Sequence, residues 1–279
     1  MNGGATIGND RREEWDSTAK GWRKWDPVIM GWLQPVGEKM LDLARLEEIS
    51  VVLDVATGSG EPGLSAAKRS WRGAVIGLDI SEEMLKTAKE KAAKAQLTNY
   101  ETRLYDGDKF PFEGNHFDAV ISRFGVMFFP DVLGGLSEMV RVLKPGGRLC
   151  VAVWGPPNET AEAGFETLKR RLGLPEDRPE SRNPYKFSET GKIASLLREA
   201  RLHNVETLEV QTKRVYSSFA RFWEQTFDMN PDIAKASSLA ETKTSEDARL
   251  EVEKALRPAE GQDGHIEFDS LAWVAHGTK

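Results

Sequence analysis

Residues 51 to 63 read VVLDVATGSGEPG, so Gly58, Gly60 and Gly63 spell G-x-G-x-x-G directly behind an apolar run. Glycines at this spacing let a strand turn tightly into a helix and let backbone approach a ligand with no Cβ in the way, although a turn of the same kind also arises for structural reasons alone. The acids around the glycines carry the sharper signal. Asp54 lies inside the first apolar run, Glu61 inside the loop, and Asp79 near the end of the next run, AVIGLDI, 19 residues after Gly60. A carboxylate at that last place can accept both hydroxyls of a ribose, which suits any adenosine cofactor. Carboxylates so close to a buried strand end are costly without compensating charge or hydrogen bonds. They would repel a pyrophosphate and favour a cofactor that carries positive charge. S-adenosylmethionine (SAM), with an ammonium, a sulfonium, one carboxylate and no phosphate, meets that description; a nicotinamide cofactor is the alternative on the glycines alone.

The elements that must hold these residues alternate as in a mostly parallel sheet. After the first run a helix is expected over 62–69, a strand over 74–80 and a helix over 82–95, with Ser81 as its N-cap and Glu82 and Glu83 in its first turn. Further strands are expected at 100–105, 117–122 and 148–154, the last preceded by a helix that Pro145-Gly146-Gly147 ends. Downstream, GKIASLLREA reads as a helix, NVETLEVQTKRVYS as a strand, 218–258 as helical and HIEFDSLAWVAHGTK as a returning strand. The economical arrangement is an antiparallel closing pair with a helical excursion between its strands.

Taken in order, these segments resemble the class I SAM-dependent methyltransferases, especially the branch of ubiquinone and menaquinone biosynthesis. VLDVATGSGEPGLSAA matches the family's first motif, GLDISEEML its second, DGDKFPFEGNHFDAVISRFGVMFF its third and fourth strand region, and RVLKPGGRL the turn before its fifth strand. The resemblance covers roughly residues 15 to 155. It implies an α/β fold, a doubly wound, mostly parallel seven-stranded sheet with a helical substrate-covering insertion. Residues 1–50 would form a helical cover, 51–154 the SAM-binding core, and 155–279 the rest of the sheet with lids at about 155–192 and 217–263. Ala56 stands where the family has its first loop glycine. By resemblance Gly58 and Gly60 admit the methionyl part and Asp54 holds its ammonium, while Asp79 accepts the ribose hydroxyls. Ile80 and Met84 pack on the adenine, Asp106 and the Gly107 amide bind its edge, and Ser122 and Arg123 border the methyl-donating side.

Four tryptophans, Trp15, Trp22, Trp25 and Trp32, precede the first motif, and the spacing of seven within each pair gives two stripes on a helix. They read either as core or as a cover, with Trp22 and Trp25 the candidates for confining the cofactor. Methyl transfer by in-line displacement needs alignment and a dry site above all. None of the four histidines is nominated as a base, and one cysteine with four scattered histidines does not make a zinc site. Aromatics in the late segments, Phe165, Tyr185, Phe187, Phe222, Trp223 and Phe227, suggest a roof over a small apolar or aromatic acceptor, such as a quinone precursor, phenol, terpenoid or polyketide. The 279 residues carry a net charge of −6, without the basic footprint of a nucleic-acid binder. No run approaches a membrane span, and the N-terminus lacks the order of a secretory signal, so a cytoplasmic address is expected. A SAM-binding protein without transferase activity is the further alternative.

Overall fold

The computed structural model describes residues 3–105, 109–175 and 182–279, with side chains from residue 11 onward. Asp106, Gly107 and Asp108 lie outside the described residues. A seven-stranded sheet runs in the order β3-β2-β1-β4-β5-β7-β6. Its first five strands, β1 (Val51–Val55), β2 (Ala74–Asp79), β3 (Tyr100–Leu104), β4 (Phe117–Arg123) and β5 (Leu143–Trp154), are parallel. The last two, β6 (His203–Tyr216) and β7 (Ile266–Thr278), pair antiparallel, and β7 is antiparallel to β5. This is the doubly wound sheet that the sequence led us to expect. The strand order reverses between β1 and β4, which opens a crevice above their carboxyl ends.

Helices cover both faces, so the central strands are buried on both sides, and β1 reads as an almost unbroken apolar run. In α3 (Glu82–Lys94) the Ser81 hydroxyl accepts a bond from the Met84 amide at 3.1 Å, the cap that the sequence announces. One boundary differs from expectation. The helix α4 (Val132–Val142) ends before Pro145, and Leu143 already pairs with Phe117 in β5. Pro145 lacks an amide proton and restricts the residue before it, so the chain turns extended upstream of the glycines.

The N-terminal segment is one helix, α1 (Gly3–Ala44), with Pro27 and Pro35 inside it, and it packs across α3, β5 and β6. Between β6 and β7 the excursion comprises α7 (Phe219–Met229), α8 (Pro231–Leu239) and α9 (Thr242–Leu256), and α9 packs on α5 (Glu159–Arg171). The remaining helices are α2 (Gly63–Arg69) and α6 (Lys192–Glu199). No helix among the described residues is long and apolar enough to cross a membrane.

The turn after β1 is organised from beneath. Asp54, with no exposed surface, accepts through Oδ2 from the Thr57 hydroxyl at 2.6 Å and the Gly63 amide at 2.9 Å, while Thr57 also meets the Tyr100 hydroxyl at 3.0 Å. Its Oδ1 has no hydrogen-bond partner among the described residues. Burial pushes the carboxyl up to about 7, against the bonds from Thr57 and Gly63 and the field of Arg123. In the unfolded chain a free Asp titrates near ~3.9, so the folded protein holds an extra proton here between roughly pH 4 and 7. Stability therefore falls as pH rises through that window and levels off above it, by up to about 1.4 kcal/mol per pH unit from this group. Thermal melts of ligand-free protein across pH 5 to 8 check this. Asp54→Asn should gain on the wild type as pH rises towards 7, whereas a pH-independent difference would show that the carboxyl does not titrate there.

Candidate functional site

A cavity of about 910 Å3 lies at the carboxyl ends of β1, β2, β4 and β5, with α1 across its top. At one end the chain leaves β1 and crosses towards α2. Gly58 adopts φ +55, and a Cβ there would meet nothing within 4 Å, because that side of the residue opens on the cavity. Its amide donates to Asp79 Oδ2 at 2.8 Å, and the Ser81 amide donates to Asp79 Oδ1 at 3.0 Å. Each Asp79 oxygen thus keeps lone-pair capacity for a further donor. Burial raises the Asp79 carboxyl above the usual range, and the bonds from Ser81, Gly58 and Ile80 amides oppose that rise. Ile80 and Met84 add apolar wall beside it.

The other end is aromatic. Phe124 and Trp154, at the exits of β4 and β5, stack with centroids 3.9 Å apart and planes 12° apart. Trp15 meets Phe128 edge-on at 5.2 Å, and Met30 and Leu33 of α1 complete this compartment. Polar contacts fasten α1 to the loops beneath it. Arg12 Nε donates to the Ile80 carbonyl at 3.0 Å, the Ser81 hydroxyl donates to Asp16 at 2.5 Å, and the Ser59 hydroxyl donates to Asp26 at 2.5 Å. Asp26 is in turn paired with Lys91 Nζ at 2.9 Å.

Ala56, Gly58, Asp79, Ile80, Met84 and Trp22 all line the cavity. Four expected residues sit elsewhere. Asp54 lies under the turn with Oδ2 spent on Thr57 and Gly63, so it shapes the loop and forms no part of the wall. Gly60, at φ +107, faces away: a Cβ there would come within 2.8 Å of Leu64 and 3.2 Å of Ala88, so packing excludes the side chain. Ser122 is buried, with its hydroxyl unpartnered among the described residues, while its neighbour Arg123 reaches the cavity. Trp25 is 2% exposed among Ile29 and Leu33, and its indole N–H donates to Asp228 at 2.8 Å. The two tryptophan stripes have separated. Trp15 and Trp22 face the cavity, whereas Trp25 and Trp32 face α7 and β6, with Trp32 against Tyr216 at 5.0 Å. Asp106 and Gly107 lie outside the described residues.

The expected aromatic roof is not there. Phe165, Phe222, Trp223 and Phe227 join a separate core with Tyr216 and Phe268, Phe187 is buried against the sheet, and Tyr185 borders a small crevice away from the cavity. None of the four histidines lines the cavity. Arg11, Trp15, Met30, Leu33, Phe124, Phe128 and Trp154 are among the wall residues that sequence reasoning did not select as binding residues. Phe124 and Trp154 were findable, since each follows the last residues of a parallel strand, where ligands gather in such sheets.

The residues present fit an adenosyl group. A buried carboxylate with spare acceptor capacity, a turn with no Cβ on its cavity side and a flat apolar wall follow one another along the same surface. Asp79 and Glu61 both border this end, which disfavours a pyrophosphate. Residues 52–147 match the family described as Methyltransferase domain. A demethylmenaquinone methyltransferase of Listeria monocytogenes is 38% identical over 122 residues, 43% of this chain and 52% of the relative. The chain therefore spans about half the length of the relatives it matches. A SAM-dependent methyltransferase structure from Aquifex aeolicus superposes with a TM-score of 0.51 at 25% identity, covering 70% of this chain and 92% of the other. The YcgJ protein from Bacillus shares the fold with a TM-score of 0.58 at 19% identity, covering 87% and 97%. Residues 52–147 are thus similar to a methyltransferase domain, and the seven-stranded sheet shares the fold of SAM-dependent methyltransferases, with the demethylmenaquinone methyltransferases among the chain's relatives.

Proposed function

We propose that this protein transfers a methyl group from SAM to a small apolar or aromatic acceptor, by C- or O-methylation. The observation that carries this reading is one cavity whose two ends differ in chemistry: a ribose-accepting carboxylate with a Cβ-free turn, then an aromatic compartment. Its volume of about 910 Å3 lies near the upper end of the roughly 300–1,000 Å3 usual for ligand pockets, enough for a cofactor and a second molecule. The relatives' name, demethylmenaquinone methyltransferase, supports a quinone precursor as acceptor.

When bound, SAM supplies a methyl group already activated on a sulfonium. The protein's part is then alignment and the exclusion of water. Asp79 receives the ribose hydroxyls, Ile80 and Met84 pack on the base, and Gly58 leaves room for the methionyl chain. Phe124 and Trp154 hold a flat acceptor by stacking, and α1 closes the top through Trp15 and Trp22. Residues 1–50 act in this reading as the cover, 51–154 as the cofactor-binding core, and 155–279 as the remainder of the sheet with its helical insertions. Incubation with methyl-labelled SAM and a panel of hydroquinones and phenols tests the activity. Labelled product is expected. Cofactor binding without product from any acceptor would favour a non-catalytic binder, and binding of NAD in place of SAM would favour an oxidoreductase.

Two variants test the cofactor end. Asp79→Ala removes charge-assisted bonds of roughly 1.5–3 kcal/mol each, so affinity for S-adenosylhomocysteine should fall by about a hundredfold or more in calorimetry. An unchanged dissociation constant would remove Asp79 from the site. Gly58→Ala should fold, at a backbone cost of about 1–2 kcal/mol for its left-handed conformation, yet bind the cofactor poorly because the new methyl enters the cavity. Gly60→Ala should show the opposite balance, with a lowered melting temperature from the clash with Leu64 as its main effect.

A further inference from the structure

Arg123 ends β4 and lines the cavity, with its guanidinium beside Met30 and Leu33 of α1. Its partners are all uncharged. Nη1 donates to the Leu33 carbonyl at 3.3 Å, and Nη2 to the Glu61 carbonyl at 2.9 Å and to the Met30 sulfur at 3.1 Å. A guanidinium carries five N–H donors, so two of them, Nε–H and one on Nη1, have no partner among the described residues. Three carboxylates act on it through their field without touching it: Asp54 of β1, Glu61 of the following loop and Asp26 of α1. Asp54 Oδ2 accepts from Thr57 and Gly63, Asp26 binds Lys91 and Ser59, and Glu61 accepts from the Ser65 amide at 3.1 Å. A half-buried cation without a contacting anion carries a desolvation cost, and guanidinium does not escape it by losing its proton.

We infer that Arg123 is the oxyanion anchor of this cavity, offering its free donors to a carboxylate or phenolate oxygen of a bound molecule. This rests on the proposed methyl transfer, and it deepens it. No histidine lines the cavity. Among the described lining acids, Glu138 is held below its usual range by Arg141, and Asp131 is occupied as the cap of the Gly134 amide. An acceptor that ionises in water and binds as its anion would need no base from the protein. The same donors would equally take the carboxylate of the cofactor's methionyl end. The chemistry is shared, and the two sources separate by experiment.

The full chain, with Arg123→Lys and Arg123→Gln, is titrated with S-adenosylhomocysteine, with methylthioadenosine, which lacks the amino-acid end, and with 4-nitrophenol in the presence of S-adenosylhomocysteine. If the anion comes from the acceptor, bound nitrophenol should ionise about one pH unit or more below the free compound in wild type and Arg123→Lys, and lose that shift in Arg123→Gln, about a tenfold change in preference for the anion. If it comes from the cofactor, Arg123→Gln should weaken S-adenosylhomocysteine by about tenfold or more and leave methylthioadenosine unchanged. Wild-type protein that binds nitrophenol as the neutral phenol and both nucleosides equally would overturn the anchor while leaving the proposed function standing, and it needs no variant to fold. Binding of neither nucleoside would overturn both.

Discussion

The hydrogen bonds that Asp54 accepts hold the turn on which the rest of the site is built. One oxygen takes the Thr57 hydroxyl and the Gly63 amide, and so ties the end of β1 to the first residue of α2 across the loop between them. Tyr100 reaches the same hydroxyl from β3, so two strands and a helix share one buried junction. Gly58 leaves its amide for Asp79 only because the backbone around it is fixed from below. Both carboxyl groups are desolvated; the Thr57 hydroxyl and the Gly63 amide offset this at Asp54, and several backbone amides do so at Asp79. A cationic ligand above them would lower the cost of both, so the ligand-free site stores unfavourable electrostatics that binding can release.

The helix α1 turns this crevice into an enclosed space. It touches the loops after β1 and β2 through Asp26, Asp16 and Arg12, and Arg11 donates to the Phe128 carbonyl beyond β4. Contacts on three separate loops position a helix better than one strong contact would, because each loop limits a different motion. The aromatic compartment then owes its shape to residues far apart in sequence, with Met30 and Leu33 from α1 against Phe124 and Trp154 from strand ends. That mixture of origins separates the two ends of the cavity chemically: the cofactor end is made by a contiguous motif, the far end by tertiary packing.

The same division explains what the sequence reveals. The sheet was legible because buried parallel strands read as apolar runs, and the Ser81 cap and the Asp79 position follow from local geometry. Asp54 and Gly60 were expected beside the cofactor, and they sit beneath the turn and against Leu64, since a motif records that a residue type is needed without recording which side of the turn it faces. The tryptophan spacing gave two stripes correctly, yet which stripe meets the cavity depends on the rotation of α1, and that is set by contacts with α7 and β6 that no local pattern encodes. The aromatic residues of the late segments satisfy one another in a core of their own, and composition cannot distinguish such a core from a roof.

Trp25 and Lys24 bind the same Asp228 carboxylate, at 2.8 Å and 2.6 Å, which joins α1 to α7 at the foot of the helical excursion. The excursion contributes no wall to the cavity, but it grips the helix that does. A change in α7 therefore acts on the cavity without lining it, through the helix that carries Met30 and Leu33 to the side of Phe124 and Trp154. The joint lies one residue from Asp26, which holds Ser59 of the turn after β1, so a change there is felt at both ends of the cavity.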